Sequence, residues 1–360
     1  MQNKHYYIVI MAGGVGSRFW PASREEMPKQ FLDILNIGKS LIRLTFDRVS
    51  RVVPVENILI ATNKRYKELC LAHLPEIDES QVLLEPSRNN TAPCIAYAAL
   101  RIKAMNSEGV FAVLPSDAVI LKEDLFCDKL SQAMDFASRH KAIVTLGISP
   151  SRPDTGYGYI KKVENKDLAL EKTGIYHVER FTEKPDASTA QQYVDSGDYV
   201  WNAGIFVWSV NTVIESFEEN APEIIKVLNE KPDKYNSAGE QDYIDQVYPK
   251  TESISVDYAI LEKSDCVYTI PCVLGWSDLG TWNSLHDYLE KDDSGNVIQA
   301  NKYHVEEVED SLIRATSERI IVVKGLKDFI VVDEPGALLI YPKDLEQEIK
   351  AVVSQVKNLE

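Results

Sequence analysis

An α/β fold on a mixed, mostly parallel sheet, followed by a small carboxy-terminal β unit, is what this sequence predicts. Three observations lead there. Over residues 6–146, short β-rich runs alternate with helix-length segments. From about residue 155 that alternation gives way to short strands and turns. From about residue 290 the chain is mostly β, punctuated by Gly325, Pro335, Gly336 and Pro342. Strands alternating with helices build parallel sheets covered on both faces.

The elements follow in order. The strands of the first part are "YYIVIMA", "NILIAT", "QVLLE", "VFAVLPSD" and "AIVTLGI". Helices are expected over 40–53, 64–74, 91–106 and 123–139. In the last of these, Leu125, Leu130, Met134 and Ala137 lie on one helical stripe. "TGYGYIKKV", "YHVERFTEKP" and "WNAGIFVWS" come next, with helices near 187–196 and 210–219. They read as an insertion covering one rim of the sheet. The tail offers strands in "NVIQAN", "DSLIRAT", "RIIVVKG" and "DFIVVDEPGALLIYP", then a closing helix in "KDLEQEIKAVVSQVK". No repeat or low-complexity linker interrupts the chain. The division expected is a large domain over 1–288 and a β unit over 289–360.

Composition excludes several classes. The chain has 360 residues and a formal charge of −16. Such acidity argues against nonspecific nucleic-acid binding, which needs Lys/Arg on phosphates, but leaves room for a small anionic ligand beside local cations. No apolar run approaches the ~20 residues needed to cross a bilayer, and "MQNKHYY" carries no secretory signal. The five cysteines form no CxxC pair and are odd in number. They read as reduced thiols of a cytoplasmic protein. The six histidines show no HxxxH or HExxH spacing, and no GxSxG occurs.

On α/β sheets ligands bind outside the carboxyl ends of the strands. The glycine loop after the first strand, "EPSRNNTAP" and "PSD" all follow predicted strands, so they converge at one rim. The loop reads Gly13-Gly14-x-Gly16-x-Arg18, then Pro28-Lys29. No Lys-Ser/Thr follows the last glycine, and Phe19 stands where a dinucleotide fingerprint needs its third glycine. Glycines after a strand let backbone N–H groups face an anion. Arg18 offers a planar fork and Lys29 a movable point charge. Two cations beside bare backbone suit a polyphosphate whose charge redistributes in a reaction. A plain glycine turn with surface cations fits the same letters.

"MAGGVGSRFWPASREEMPKQF" resembles the signature of sugar-1-phosphate nucleotidylyltransferases. "EPSRNNTAP", "LPSD", "TGYGYI", "FTEKP", "WNAGIF", "VDYAILEK" and "GWSDLGTW" follow in that family's order, over roughly residues 6–285. Trp20 and "PKQF" favour the guanylyl subfamily, which joins GTP to mannose 1-phosphate and releases pyrophosphate. The resemblance implies a Rossmann-like nucleotidyltransferase domain and in-line attack of the sugar phosphate on the α-phosphorus. It implies Gly13, Gly14, Gly16 and Ser17 on the nucleotide, Arg18 on the departing pyrophosphate and Lys29 on the α-phosphate or sugar phosphate. Asp117 and Asp278 match the carboxylates for Mg²⁺, a hard cation that takes oxygen ligands. Glu85 and Asn90 match the base loop, and a carboxylate can accept from guanine N1–H and N2–H₂. Gly158, Glu183, Lys184, Asn202 and Asp257 match the sugar-phosphate positions. The tail resembles a short left-handed β-helix that pairs subunits, which implies a homodimer.

Structural readings stand beside these. Asp117 and Asp278 could cap helices, and Asn90 and Pro93 could form a capping turn. "EKP" could be a solvated turn, and Asp257 a surface carboxylate. Two positions depart from the family: Asn89 stands where a basic residue is usual, with Arg88 one place earlier, and Ala118 replaces the histidine of "PSDH". Three functions remain in view: the GTP-dependent enzyme, a relative using another sugar 1-phosphate or base, and a non-catalytic regulatory subunit. The last should have lost Arg18, Lys29 or the aspartates, and all are present. The roughly 70 residues after the last motif are too few for the isomerase domain of longer bifunctional relatives, so no isomerase activity is expected.

Overall fold

A computed structural model of the chain describes residues 2–14, 16–163 and 172–356. It packs as two compact units. The first comprises Met1–Gly13, Phe46–Ser116 and Ile120–Trp276; the second comprises Gly14–Thr45, Asp117–Val119 and Ser277–Glu360.

The first unit is built on one sheet. Its strands are β1 (Tyr6–Met11), β2 (Ile58–Asn63), β3 (Val82–Glu85) and β4 (Val110–Pro115), then, beyond the two-residue β5 (Val119–Ile120), β6 (Ile143–Ile148), β7 (Tyr159–Val163), β8 (Tyr176–Thr182), β9 (Tyr199–Ser209) and β10 (Val267–Cys272). The order across the sheet is β3-β2-β1-β4-β9-β6-β10-β8-β7. The first four strands are mutually parallel, so β1, β3 and β4 end at one edge, as their sequences require. β1 reads YYIVIM and is buried at all but its last position, the signature of a strand covered on both faces.

After α1 (Leu41–Val49), the helices α2 (Lys67–His73), α3 (Thr91–Met105) and α4 (Glu123–Ala137) follow in chain order. α3 is apolar and buried from Ala92 through Leu100, as expected of a helix enclosed in a core. Asn90 caps it, its side chain accepting from Thr91 N–H at 2.8 Å.

The segment "WNAGIFVWS" is not part of a rim insertion. It lies within the 11-residue β9, in mid-sheet, antiparallel to both β4 and β6. Its neighbours on both sides are central strands of the same sheet, and a local reading cannot see which strands those are. β10 then returns parallel to β6.

The second unit holds a parallel coil. Its strands, after the short β11 (Trp276–Ser277), are β12 (Val297–Gln299), β13 (Tyr303–Glu306), β14 (Leu312–Ala315), β15 (Ile321–Lys324), β16 (Phe329–Glu334) and β17 (Ala337–Pro342). β12, β14 and β16 stack in parallel on one face, and β13 and β15 on another. β17 closes the first stack antiparallel to β16. The sequence did not predict β13: it is four residues long and largely exposed, and its Tyr303/Val305 alternation is too short to mark a strand. The expected closing helix is a 3₁₀ segment, Lys343–Glu348, followed by α-helix Ile349–Val356; Lys357 lies outside the described residues. Phe19, Ile34, Leu41, Leu279 and Trp282 share one core with Leu312, Ile330, Val332 and Ile349. The segment after the glycine loop is therefore seated on the β coil. Among the described residues, no helix is long and apolar enough to cross a membrane.

Candidate active site

In the second unit the glycine loop leads to a buried lysine. Gly16 is left-handed (φ 70°), and a Cβ there would lie 2.6 Å from Lys29 Cβ. Both facts demand glycine: an L-side chain is strained at that φ, and no space exists for one. Gln30 Nε2 donates to Gly14 O at 3.1 Å, tying the loop to the 3₁₀ turn Lys29–Phe31. Lys29 itself is 4% exposed. Its Nζ lies 2.9 Å from Asp117 Oδ2 and donates to Asp278 O at 2.6 Å. The expectation of a movable cation is corrected here: burial and two oxygen partners clamp it. Positions 29, 117 and 278, distant in sequence, thus meet at one ammonium.

Neither aspartate is a helix cap. Asp117 precedes β5 rather than a helix. Helix Trp282–Tyr288 is capped by Thr281 in a reciprocal box with Ser284. Asp278 Oδ1 accepts from Gly280 N–H at 3.1 Å. Between them Leu279, fully buried, takes φ 41°, a conformation costly for a non-glycine residue that its surroundings must hold in place. Arg18 is exposed. Burial raises the pKa of Glu346, opposed by hydrogen bonds from Asn283 and Thr281 and, least, by the Arg18 charge. Ser17 opens the 3₁₀ turn Ser17–Phe19, and Ala118 is buried.

Two further groups lie in the first unit. Glu85 ends β3. Its Oε2 is 3.9 Å from where a Cβ on Gly13, in the same unit, would stand. Burial raises the Glu85 pKa, while hydrogen bonds from Tyr248 and Cys94 lower it. Asn90, with φ 67°, commits its side-chain carbonyl to the cap; the structural reading of that residue is realised. Asn89 is buried and donates to Tyr248 O, Thr251 O and Thr251 Oγ1 at 3.1, 2.9 and 2.9 Å. Arg88 reaches Tyr66 Oη at 3.2 Å.

The expected sugar residues cluster. Asn202 N donates to Gly158 O at 2.8 Å, and its Nδ2 donates to Asp257 Oδ1 at 3.0 Å. A Cβ on Gly158 would sit 2.6 Å from Glu183 Oε2; glycine is what admits that carboxylate. Lys184, 61% exposed with φ 47°, pairs with Glu183. Asp257 is pushed up to about 6, by burial first and by the Glu183 charge second. It is not a solvated surface carboxylate.

Sequence reasoning missed Tyr248, Cys94 and Glu346. Tyr248 stands in "QVYPK", where no spacing or motif marks it.

A buried lysine bound to two aspartates beside a glycine turn is equipment for handling phosphate charge. Comparison with known proteins gives the class. The nucleotidyl transferase family model matches residues 7–295, and that of the MannoseP isomerase/GMP-like beta-helix domain matches 304–356. The chain belongs to the nucleotidyl transferase family and ends in a β-helix unit of that type. Among its relatives is the mannose-1-phosphate guanylyltransferase RfbM of Salmonella typhimurium, 36% identical over 97% of this chain and 72% of the relative. The xanthan biosynthesis protein XanB of Xanthomonas campestris is 36% identical over 97% and 73%. A crystal structure from Thermus thermophilus, described as a mannose-1-phosphate geranyltransferase, superposes with a TM-score of 0.86 at 29% identity, covering 98% of this chain and 99% of that one.

Proposed function

We propose that the chain transfers GMP from GTP to mannose 1-phosphate, giving GDP-mannose and pyrophosphate, with 1–288 as its catalytic part. The observation that carries this is the convergence of Asp117, Asp278 and the loop that holds Gly16 on buried Lys29. The choice of base and sugar rests on the guanylyltransferase names of relatives that match nearly the whole chain.

The chemistry follows from charge. A sugar-phosphate oxygen attacks the α-phosphorus in line, an O–P bond to pyrophosphate breaks, and negative charge grows on the leaving group. Lys29 neutralises charge at the α-phosphate, and Arg18, exposed beside the loop, meets the pyrophosphate. Gly13, Gly14, Gly16 and Ser17 offer backbone to the phosphates. Glu85 reads guanine, beside Asn90; Gly158, Glu183, Lys184, Asn202 and Asp257 hold the sugar phosphate. Positioning supplies much of the remaining rate.

The donors suit Mg²⁺ in kind, as hard carboxylate oxygens: Asp117 lies beside Lys29 Nζ, and Asp278 meets the same ammonium through its main-chain carbonyl while its carboxylate accepts from Gly280 N–H. An ion held by two carboxylates would take water and substrate phosphates as its other ligands. Bound there, the metal would offset phosphate charge. All five cysteines are free thiols, which accords with a cytoplasmic setting. Exposed Tyr303, Ile320, Val322, Leu338 and Ile340 on the β coil support pairing of two copies through it.

The test is product analysis after incubation with GTP, mannose 1-phosphate and Mg²⁺. GDP-mannose and pyrophosphate in equal amounts are expected. GTP hydrolysis without sugar nucleotide, or no turnover, contradicts the proposal.

A further inference from the structure

We propose that Tyr248, with Asn89 behind it, is a positioning residue that sets nucleobase selectivity by fixing the Glu85 carboxylate. This rests on the reading of Glu85 as the base reader.

Tyr248 is fully buried at the start of the 3₁₀ turn Tyr248–Lys250. Its hydroxyl donates to Glu85 Oε1, leaving Oε2 on the side of Gly13. Its ring packs edge-on against Tyr97, with centroids 6.3 Å apart and planes at 69°. The main chain at each end of this bond is also fixed. Asn63 Nδ2 donates to Glu85 O at 3.1 Å. Asn89, four residues after Glu85, donates to Tyr248 O and to both oxygens of Thr251, and Thr251 Oγ1 donates to Tyr248 O at 2.8 Å. The loop that carries Glu85 and the turn that carries Tyr248 are thus stapled together. This also accounts for the departure at position 89: a buried carboxamide makes bonds there that a charged side chain could not make without a partner for its charge.

The chemistry concerns which edge Glu85 presents. An ionised carboxylate is acceptor-only and matches the two donors of guanine, N1–H and N2–H₂. A protonated one presents a donor beside an acceptor, which matches adenine N1 and N6–H₂ instead. Burial drives Glu85 toward the protonated form, and the Tyr248 hydroxyl opposes that by donating to the anion. The titratable groups facing Glu85 are Tyr248 on the turn and Cys94 on α3, both held neutral by burial. Without the Tyr248 hydroxyl the carboxylate is freer to turn and to take a proton, and guanine loses its advantage.

The experiment measures kcat/KM for GTP and ATP from pH 6 to 8, at saturating mannose 1-phosphate, for wild type, Tyr248→Phe, Asn89→Ala and Glu85→Gln. Tyr248→Phe keeps the ring and its packing, so it should fold; circular dichroism checks this. Its GTP:ATP ratio is expected to fall roughly ten- to hundredfold, the range for one hydrogen bond to a charged group. The fall should deepen toward pH 6, while KM for mannose 1-phosphate stays put. Asn89→Ala should move the ratio the same way by less. A pH-independent, wild-type ratio in Tyr248→Phe, alongside an eroded ratio in Glu85→Gln, overturns this inference and leaves the base reader standing. An unchanged ratio in Glu85→Gln overturns the base-reader reading and this inference with it.

Discussion

Replacing Lys29 with methionine should cost far more activity than stability. The substitution keeps most of the length of the chain that packs under Gly16 but removes the ammonium 2.9 Å from Asp117 Oδ2 and 2.6 Å from Asp278 O. On the folding side, hydrogen bonds from a charged group are worth about 1.5–3 kcal/mol when buried. Asp117 is 36% exposed, so water takes over much of its share, and the net loss is about 1–2 kcal/mol. That corresponds to a drop of roughly 2–8 °C in Tm for a domain of this scale. On the catalytic side, losing one preorganised charge partner costs on the order of 10²–10³ in kcat, about 2.7–4 kcal/mol. The assay is pyrophosphate release at saturating substrates, with thermal unfolding of the same samples. A folded Lys29→Met protein turning over within a few-fold of wild type refutes the placement of Lys29 in the chemistry.

Gly16→Ala should also reduce kcat strongly, because a Cβ there would meet Lys29 Cβ at 2.6 Å; Gly38→Ala, equally left-handed but in open space, should lose only stability, and equal kcat losses would contradict the account. Asp117→Asn and Asp278→Asn should each raise the Mg²⁺ concentration for half-maximal turnover, since an amide does not offset cation dehydration; an unchanged magnesium titration in both removes them as ligands. Asp257 should titrate near pH 6, and in Glu183→Gln lower, because the like charge is gone. Its folded pKa lies above its unfolded one, so the fold binds a proton there; its contribution is full below about pH 4 and is lost as pH rises through 6. Asp257→Asn should flatten that slope in thermal unfolding, and an unchanged slope contradicts the assignment. Arg314→Met should destabilise by about 2–4 kcal/mol, because buried Arg314 donates to Asp33 O, Ile34 O and Gln299 Oε1; a Tm within a degree of wild type contradicts this.

What the sequence made legible was what local pattern encodes. β1 running into glycines, the α3 helix behind "EPSRNNTAP" and the helix at Ala187–Ser196 all stand where expected. Gly158, Glu183, Asn202 and Asp257 lie together, positions that the family resemblance rather than local pattern singled out. What it hid depends on long-range packing. β9 reads as a short strand because the central strands it pairs with, β4 and β6, come from far upstream in the chain. Lys29 reads as a surface cation because the partners that make its burial tolerable, the Asp117 carboxylate and the Asp278 main-chain carbonyl, lie far along the chain. Tyr248 is an ordinary aromatic until the fold sets its hydroxyl on Glu85. The glycine-loop segment packs Phe19 against Trp282 at 4.7 Å, in one core with Leu312 and Ile330 of the β coil, and so likewise joins residues far apart in the sequence.

The central claim is the transfer of GMP to mannose 1-phosphate. Pyrophosphate release should be measured across a matrix of GTP, ATP, UTP and dTTP against mannose, glucose and galactose 1-phosphates, with Mg²⁺ and purified protein. The account predicts the highest kcat/KM for GTP with mannose 1-phosphate, and at least a roughly tenfold deficit for every other nucleotide with that sugar. UTP or dTTP used with glucose 1-phosphate as efficiently as GTP with mannose 1-phosphate would contradict it.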